Sequence, residues 1–180
     1  MSSPSNTTAS AAADPLADPV LARRLGGIQT LYLALWVGLA GIAFGVGLVV
    51  GYALDWQPLA GNLVTVGGVS AVTLAAAGVT LLTPFAALAV GRWKAAGERT
   101  AIAATHPELA GTVELADRRL AGFAAVTFAE AIVSVGVGFA WSVLVHVTSD
   151  WRMFPLVGLL LVWLAARYPT ATRARAWLTG

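Results

Sequence analysis

Cysteine is absent from the 180 residues of the chain, and charged residues make up only 11% of them. The first absence excludes disulfides, thiolate metal sites and cysteine nucleophiles. The second is equally informative, because a soluble domain usually carries about a quarter of charged residues. With 58% apolar residues, a soluble globule would have too little polar surface to cover its own core. The composition therefore indicates an integral membrane protein.

Residues for catalysis or metal binding are also scarce. The only histidines are His106 and His146, which the topology below assigns to opposite sides of the membrane, so a shared metal site is excluded. The sequence contains no zinc-protease motif, phosphate-binding glycine loop or nucleophile elbow. We therefore expect no enzymatic activity, no cofactor and no metal. The net charge of +2 does not indicate nucleic-acid binding, because the basic residues flank apolar segments.

Apolar residues are concentrated in four stretches. Leu25 to Leu54 and Gln57 to Gly91 contain no charge over 30 and 35 residues, and Leu120 to Ser149 contains one carboxylate in 30. A membrane-spanning helix needs about 20 apolar residues. The fourth uncharged stretch has only 14, but it lengthens to 18 when Arg152 and Arg167 extend their charged ends towards water. The predicted spans are residues 28–54, 63–90, 121–147 and 151–168.

The expected fold is all-α: a four-helix polytopic membrane bundle built from two helical hairpins. Short turns at residues 55–58 and 148–152 close the hairpins, and Pro58 prevents either helix from continuing through the first turn. Residues 1–22 are predicted to form a disordered tail, and residues 23–180 a single membrane domain. The short fourth stretch leaves an alternative open, in which it is a re-entrant or surface helix.

The loop between spans 2 and 3 has a helical pattern. Residues 105–108 form a capping box, apolar residues recur every three or four positions from Leu109 to Leu120, and Glu114 precedes Arg118 by four. One interpretation is a helical hairpin that prolongs spans 2 and 3 into the cytoplasm. The other is an amphipathic segment on the lipid headgroups.

The distribution of basic residues predicts the orientation. With four spans, ten of the eleven basic residues lie on one side, and Arg152 alone lies on the other. The positive-inside rule then places both termini and the middle loop in the cytoplasm. The alanine- and glycine-rich composition favours the inner membrane of a bacterium.

Small residues at a spacing of four predict helix-packing faces, because helices in lipid associate through close contact. In the first span these are Gly41, Gly45, Gly47 and Gly51, and in the third they include Gly136 and Gly138. We expect spans 1 and 3 to meet each other, or to meet copies of themselves in another subunit.

Glu130 is the one charged residue well inside a span, about four residues cytoplasmic of the middle of span 3. Burying a carboxylate in hydrocarbon costs several kcal/mol, and such residues often handle ions or protons. Burial favours a neutral acid hydrogen-bonded to Ser134 or Thr127, one turn away on either side. Glu130, Ser134 and Thr127 are thus the candidate ion-binding site, and a glutamate that only joins two helices is the alternative.

The stretch from Phe128 to Val133, followed by Gly136 and Gly138, resembles the carboxylate helix of the rotary ATPase proteolipid, the c subunit. The resemblance covers about 30 residues. It implies a proton-binding Glu130 in a ring-forming subunit, although four spans and a loop of roughly 30 residues depart from that family's pattern.

Two functions remain open from the sequence. The first is a non-catalytic structural or accessory subunit, a homo-oligomer or a partner of other membrane subunits in the bilayer. The second is proteolipid-like proton or cation handling through Glu130.

Overall fold

A computed structural model describes residues 14–53, 55, 64–105 and 112–179. Five α-helices account for most of this: α1 (Pro19–Leu48), α2 (Ala71–Thr105), α3 (Val113–Thr148), α4 (Phe154–Ala166) and α5 (Ala171–Thr179). Two short strands, β1 (Thr65–Val66) and β2 (Val69–Ser70), precede α2. The protein is therefore mainly helical, as the sequence predicts.

The first helix begins earlier than expected. Asp18 caps α1 by accepting hydrogen bonds from the backbone N–H groups of Val20 and Leu21, and Pro19 occupies the first turn, where no N–H is needed. A 3-10 turn at Pro15–Ala17 comes before it. The prediction of a disordered tail is thus wrong for residues 14–22, because this capping signal was overlooked. Residues 1–13 of that tail lie outside the described residues.

The second helix begins later than expected. Residues 65–70, assigned to the second span, form an antiparallel hairpin in which Thr65 pairs with Ser70 and Val66 with Val69. Gly67 and Gly68 form its turn with φ values of +58° and +76°, a conformation that glycine adopts without strain. Most of the predicted turn at 55–58 lies outside the described residues.

Helix α3 is the centre of the bundle and contacts α1, α2, α4 and α5. Its principal neighbours are α2 and α1, whereas no substantial contact joins α1 to α2 among the described residues. The predicted first hairpin is therefore wrong. The long connection that contains the β-hairpin lets α1 and α2 pack on α3 separately. The second hairpin is present, since α3 and α4 pack together across a turn at Ser149.

The extensions of spans 2 and 3 are helical. Helix α2 continues to Thr105, and α3 starts at Val113, where the Thr112 hydroxyl accepts a hydrogen bond from the Leu115 N–H. The predicted Glu114–Arg118 pair forms at 3.0 Å. This favours the helical hairpin over the amphipathic loop for the described residues. The predicted capping residues 106–108 lie outside them.

Three segments are long and apolar enough to cross a membrane: Pro19–Ala53, Ala71–Ile102 and Val113–Thr148. A fourth candidate is a bent pair, in which Trp151–Ala166 and Ala171–Thr179 meet at 56°. The uninterrupted fourth helix expected over residues 151–168 is instead a 3-10 turn followed by α4, which ends at Ala166. Tyr168 and Pro169 explain the end, because the residue before a proline avoids helical geometry.

The predicted packing glycines fall into two groups. A Cβ atom at Gly138 would lie 2.8 Å from Cδ2 of Leu39 on α1, and one at Gly47 would lie 3.1 Å from the Phe154 ring. Spans 1 and 3 therefore meet at Gly138. At Gly41, Gly45 and Gly136 no such neighbour lies within 4 Å. Gly51 lies in a π-helical turn, Val49–Ala53, at the end of α1. The open glycines stay a prediction for contacts between chains.

We predict that Gly138→Ala lowers the free energy of unfolding by about 1–3 kcal/mol, because the new methyl group must displace Leu39. Gly136→Ala is the matched control, two residues away in open space, and should be neutral or stabilising by up to about 1 kcal/mol. Thermal unfolding in mild detergent measures both variants. Equal effects would show that α1 and α3 do not pack closely at Gly138.

Candidate functional site

Glu130 lies on the face of α3 towards the end of α4, where it forms an ion pair with Arg167. The guanidinium Nε donates to Oε2 at 2.9 Å, and Nη2 contacts Oε1 and Oε2 at 2.7 and 2.6 Å. The Glu130 side chain is 7% exposed and that of Arg167 is 28% exposed. Both carboxylate oxygens are thus bound by one guanidinium group, which is a strong and directional arrangement.

Gly91 of α2 closes the other side of the carboxylate. A Cβ atom at this position would lie 2.7 Å from Cγ and 2.8 Å from Cδ of Glu130. No real side chain tolerates such distances, so α2 can pass Glu130 this closely only with glycine at residue 91. The ion pair therefore lies where α2, α3 and the end of α4 converge.

The break between α4 and α5 frees backbone carbonyls, and side chains bind them. From α1, the Tyr32 hydroxyl donates to the Leu164 carbonyl and the Gln29 amide to the Pro169 carbonyl, both at 2.9 Å. From α5, Arg173 donates to the carbonyl of Arg167 and, at 3.2 Å, to that of Tyr168. These bonds matter because an unsatisfied carbonyl in an apolar environment costs several kcal/mol.

The predicted partners of Glu130 have other roles. The Ser134 hydroxyl is 3.5 Å from the backbone carbonyl of Glu130, so it does not hold the carboxylate. Thr127 is buried and lines the cavity beside Glu130. The expectation of a neutral acid held by hydroxyl groups does not fit this geometry.

The role of Arg167 was missed in the sequence, although a signal was present. Glu130 lies 19 residues before Ser149, at the α3–α4 turn, and Arg167 lies 18 residues after it. In an antiparallel helical hairpin, residues at equal distances from the turn are at the same level. Opposite charges at such positions indicate an ion pair.

A cavity of about 450 Å³ opens beside the ion pair between α2, α3 and α5. Four arginines line it, together with Glu130, and Trp177 lies at its α5 side; the arginines are Arg92, Arg99, Arg167 and Arg173. The Arg99 guanidinium lies 4.9 Å above the Trp177 ring, and the Trp177 indole donates to the Arg119 carbonyl at 2.8 Å. The cavity is therefore strongly positive and partly aromatic.

Arg173 illustrates the local excess of positive charge. Burial lowers the pKa of its guanidinium, and the positive charge of Arg167 lowers that pKa further. The pKa remains far above neutral pH for a guanidinium, so Arg173 stays charged. An anion placed in the cavity would offset both effects.

Comparison of the chain with protein-family models, with curated protein sequences and with solved structures gives no match. Function must therefore be argued from the geometry of this chain.

We predict that Glu130→Gln and Arg167→Gln each lower the free energy of unfolding by about 1–3 kcal/mol, because each leaves a buried charged group without its partner. The double variant should cost at least about 1 kcal/mol less than the sum of the two, since the groups are in direct contact. Thermal unfolding of all four proteins in detergent gives this coupling energy.

The exposed pair Glu114–Arg118 on the same helix provides the control. The same cycle of glutamine variants there should give a coupling of about 0.3–0.5 kcal/mol, as is usual for exposed pairs four residues apart. Strictly additive effects at Glu130 and Arg167 would contradict a structural ion pair.

Proposed function

We propose that this chain is a small bacterial inner-membrane protein with four membrane crossings, which acts without catalysis as a structural or accessory subunit. The observation that carries this proposal is the Glu130–Arg167 pair. The one carboxylate well inside the predicted spans has both oxygens bound by a guanidinium group. In this proposal its work is to hold the end of α4 against α3.

The lengths of the helices support four crossings. The hydrocarbon core is about 30 Å thick, or about 20 helical residues. Counting 20 residues from the outer ends of α2 and α3 leads to Gly91 and to the residue next to Glu130, and these two positions are in contact. Arg167, directly after α4, is level with them. Helix α4 with its 3-10 turn would then cross the core, and Glu130 would lie at its inner edge rather than near its middle.

The basic residues support an orientation with both termini and the α2–α3 connection in the cytoplasm. Arg92, Arg99 and Arg173 gather at one end of the bundle, around the cavity. At the other end, Arg152 donates to the Gly68 carbonyl at 2.9 Å and so joins the α3–α4 turn to the β-hairpin. An excess of arginine and lysine is typical of cytoplasmic ends.

Proton or cation handling through Glu130 is the alternative. For a cation or proton to reach the carboxylate, Arg167 would have to move away from it. Such a movement would also disturb the Arg173 and Tyr32 contacts at the α4–α5 break. The local resemblance to the rotary ATPase proteolipid therefore supports this alternative less than the ion pair supports a structural role.

The surface of α1 favours assembly with other membrane helices. Gly38, Gly41 and Gly45 lie on one side of α1 with no neighbour within 4 Å, and only 17% of the most apolar window of the first span is buried. Small residues on an open helix face permit close approach of a partner helix in lipid. We therefore propose a homo-oligomer or a complex with other membrane subunits.

Topology reporters test the crossings. Fusions after Arg24, within residues 97–106 and after Trp177 should report the cytoplasm, and fusions at Gly61 and Asp150 should report the outer side, because four crossings return the chain to its starting side. A C-terminal reporter on the outer side would contradict the four-crossing proposal.

Size determination in mild detergent tests the assembly. The purified protein should be larger than a monomer or retain a stoichiometric membrane partner, and Gly45→Leu should reduce that assembly by blocking close approach. Leu81→Phe is the control, at an α2 side chain that is 66% exposed. A monomer without a partner, unchanged by either substitution, would contradict the accessory role.

A further inference from the structure

The arginine-lined cavity has more positive charge than the protein itself offsets. Glu130 is its one acidic lining residue, and Arg167 already occupies both carboxylate oxygens. Within the described ranges, no carboxylate lies within ion-pair distance of Arg92, Arg99 or Arg173. Arg173 is held in place by the backbone carbonyls of Arg167 and Tyr168, which orient its charge without neutralising it. Three guanidinium groups thus border one cavity without a counter-ion.

One face of α2 leads from apolar surface to this cavity. Leu81, Phe85, Leu88, Arg92 and Arg99 follow at helical spacing, so they lie on one side of the helix. Leu81 and Phe85 are 66% and 70% exposed, while Leu88, Arg92 and Arg99 line the cavity. This face is apolar where the helix would be in hydrocarbon and basic where it would leave it. A soluble anion would use only the basic part, whereas a lipid would use both.

The depth of the cavity also suits a headgroup. Gly91, Glu130 and Arg167 meet at the level that the helix lengths assign to the inner edge of the hydrocarbon core. Phosphates of a lipid lie just outside that edge. Basic pockets between membrane helices on the cytoplasmic side are known binding sites for anionic headgroups.

We propose that the cavity between α2, α3 and α5 binds a phosphate group, and that the phosphate belongs to the headgroup of an anionic phospholipid. Arg92, Arg99 and Arg173 contact the phosphate oxygens, and the acyl chains follow the exposed face at Leu81 and Phe85. The phospholipid source rests on the membrane embedding stated under the proposed function, whereas the phosphate site does not depend on which side of the membrane the cavity faces.

Native mass spectrometry of the full chain in mild detergent tests this directly. The protein is titrated with phosphatidylglycerol, with phosphatidylcholine of the same acyl chains, and with inorganic phosphate. We expect one phosphatidylglycerol molecule to bind at least about tenfold more tightly than phosphatidylcholine, because charge-assisted hydrogen bonds to arginine are available to both phosphates but only the first lipid carries net negative charge.

The variant Arg92→Gln/Arg99→Gln should weaken phosphatidylglycerol binding by about tenfold to 100-fold. The matched control is Arg23→Gln/Arg24→Gln, which removes the same charge from the same end of the bundle but lies outside the cavity; it should leave binding within about twofold of the native value. Neither double variant alters the Glu130–Arg167 pair, so both should remain folded by thermal unfolding.

Three results would overturn the proposal. Equal binding of phosphatidylglycerol and phosphatidylcholine would exclude a site for anionic headgroups. Equal losses in the two double variants would show attraction by overall charge rather than by the cavity. Inorganic phosphate that binds as tightly as the lipid would exclude the lipid as the source. Because topology reporters measure the crossings separately, failure here and failure of the proposed function can be told apart.

Discussion

The backbone carbonyls at the end of α4 impose the constraint on which the rest of this bundle depends. A helix that stops inside or beside a membrane leaves its last carbonyls without intrahelical partners, and lipid offers no hydrogen bonds in their place. Here Tyr32 and Gln29 reach them from α1, and Arg173 reaches them from α5. The break at Pro169 is therefore held from two directions, and it places the Arg167 guanidinium beside Glu130. Helices that are distant in sequence are joined at this one level.

The central position of α3 follows from the same convergence. Packing between membrane helices relies on close contact, since lipid provides no hydrophobic drive between them. Gly138 admits Leu39 of α1, and Gly91 of α2 admits the Glu130 side chain, so α3 is approached closely on two sides at different depths. Trp141 adds a hydrogen bond to Thr80 of α2 at 2.9 Å. A glutamate that would otherwise destabilise an apolar helix thus becomes its connection to α4.

Much of this architecture could be predicted from the sequence, for reasons that particular residues make clear. Uncharged runs identified the helices because each is far longer than a soluble segment tolerates, and the Glu114–Arg118 spacing correctly indicated helix before the third span. The packing of α1 away from α2 could not be predicted from adjacency, although Gly67-Gly68 signalled a hairpin in the connection. Glu130 was recognised, but its partner was not, because Arg167 was interpreted only as a charge at a helix end.

The ion pair and the proposed phosphate site are coupled through electrostatics. Four guanidinium groups around a cavity of about 450 Å³ repel one another, and at the edge of a low-dielectric medium this repulsion is weakly screened. Glu130 offsets one of the four charges, which keeps Arg167 in place at the α4–α5 break. The other three remain available to a ligand, and an anion bound by them would lower the repulsion that the fold tolerates without it. In this proposal a phospholipid is therefore a stabilising component of the bundle as well as its surroundings, since a ligand that binds only the folded state stabilises it by mass action.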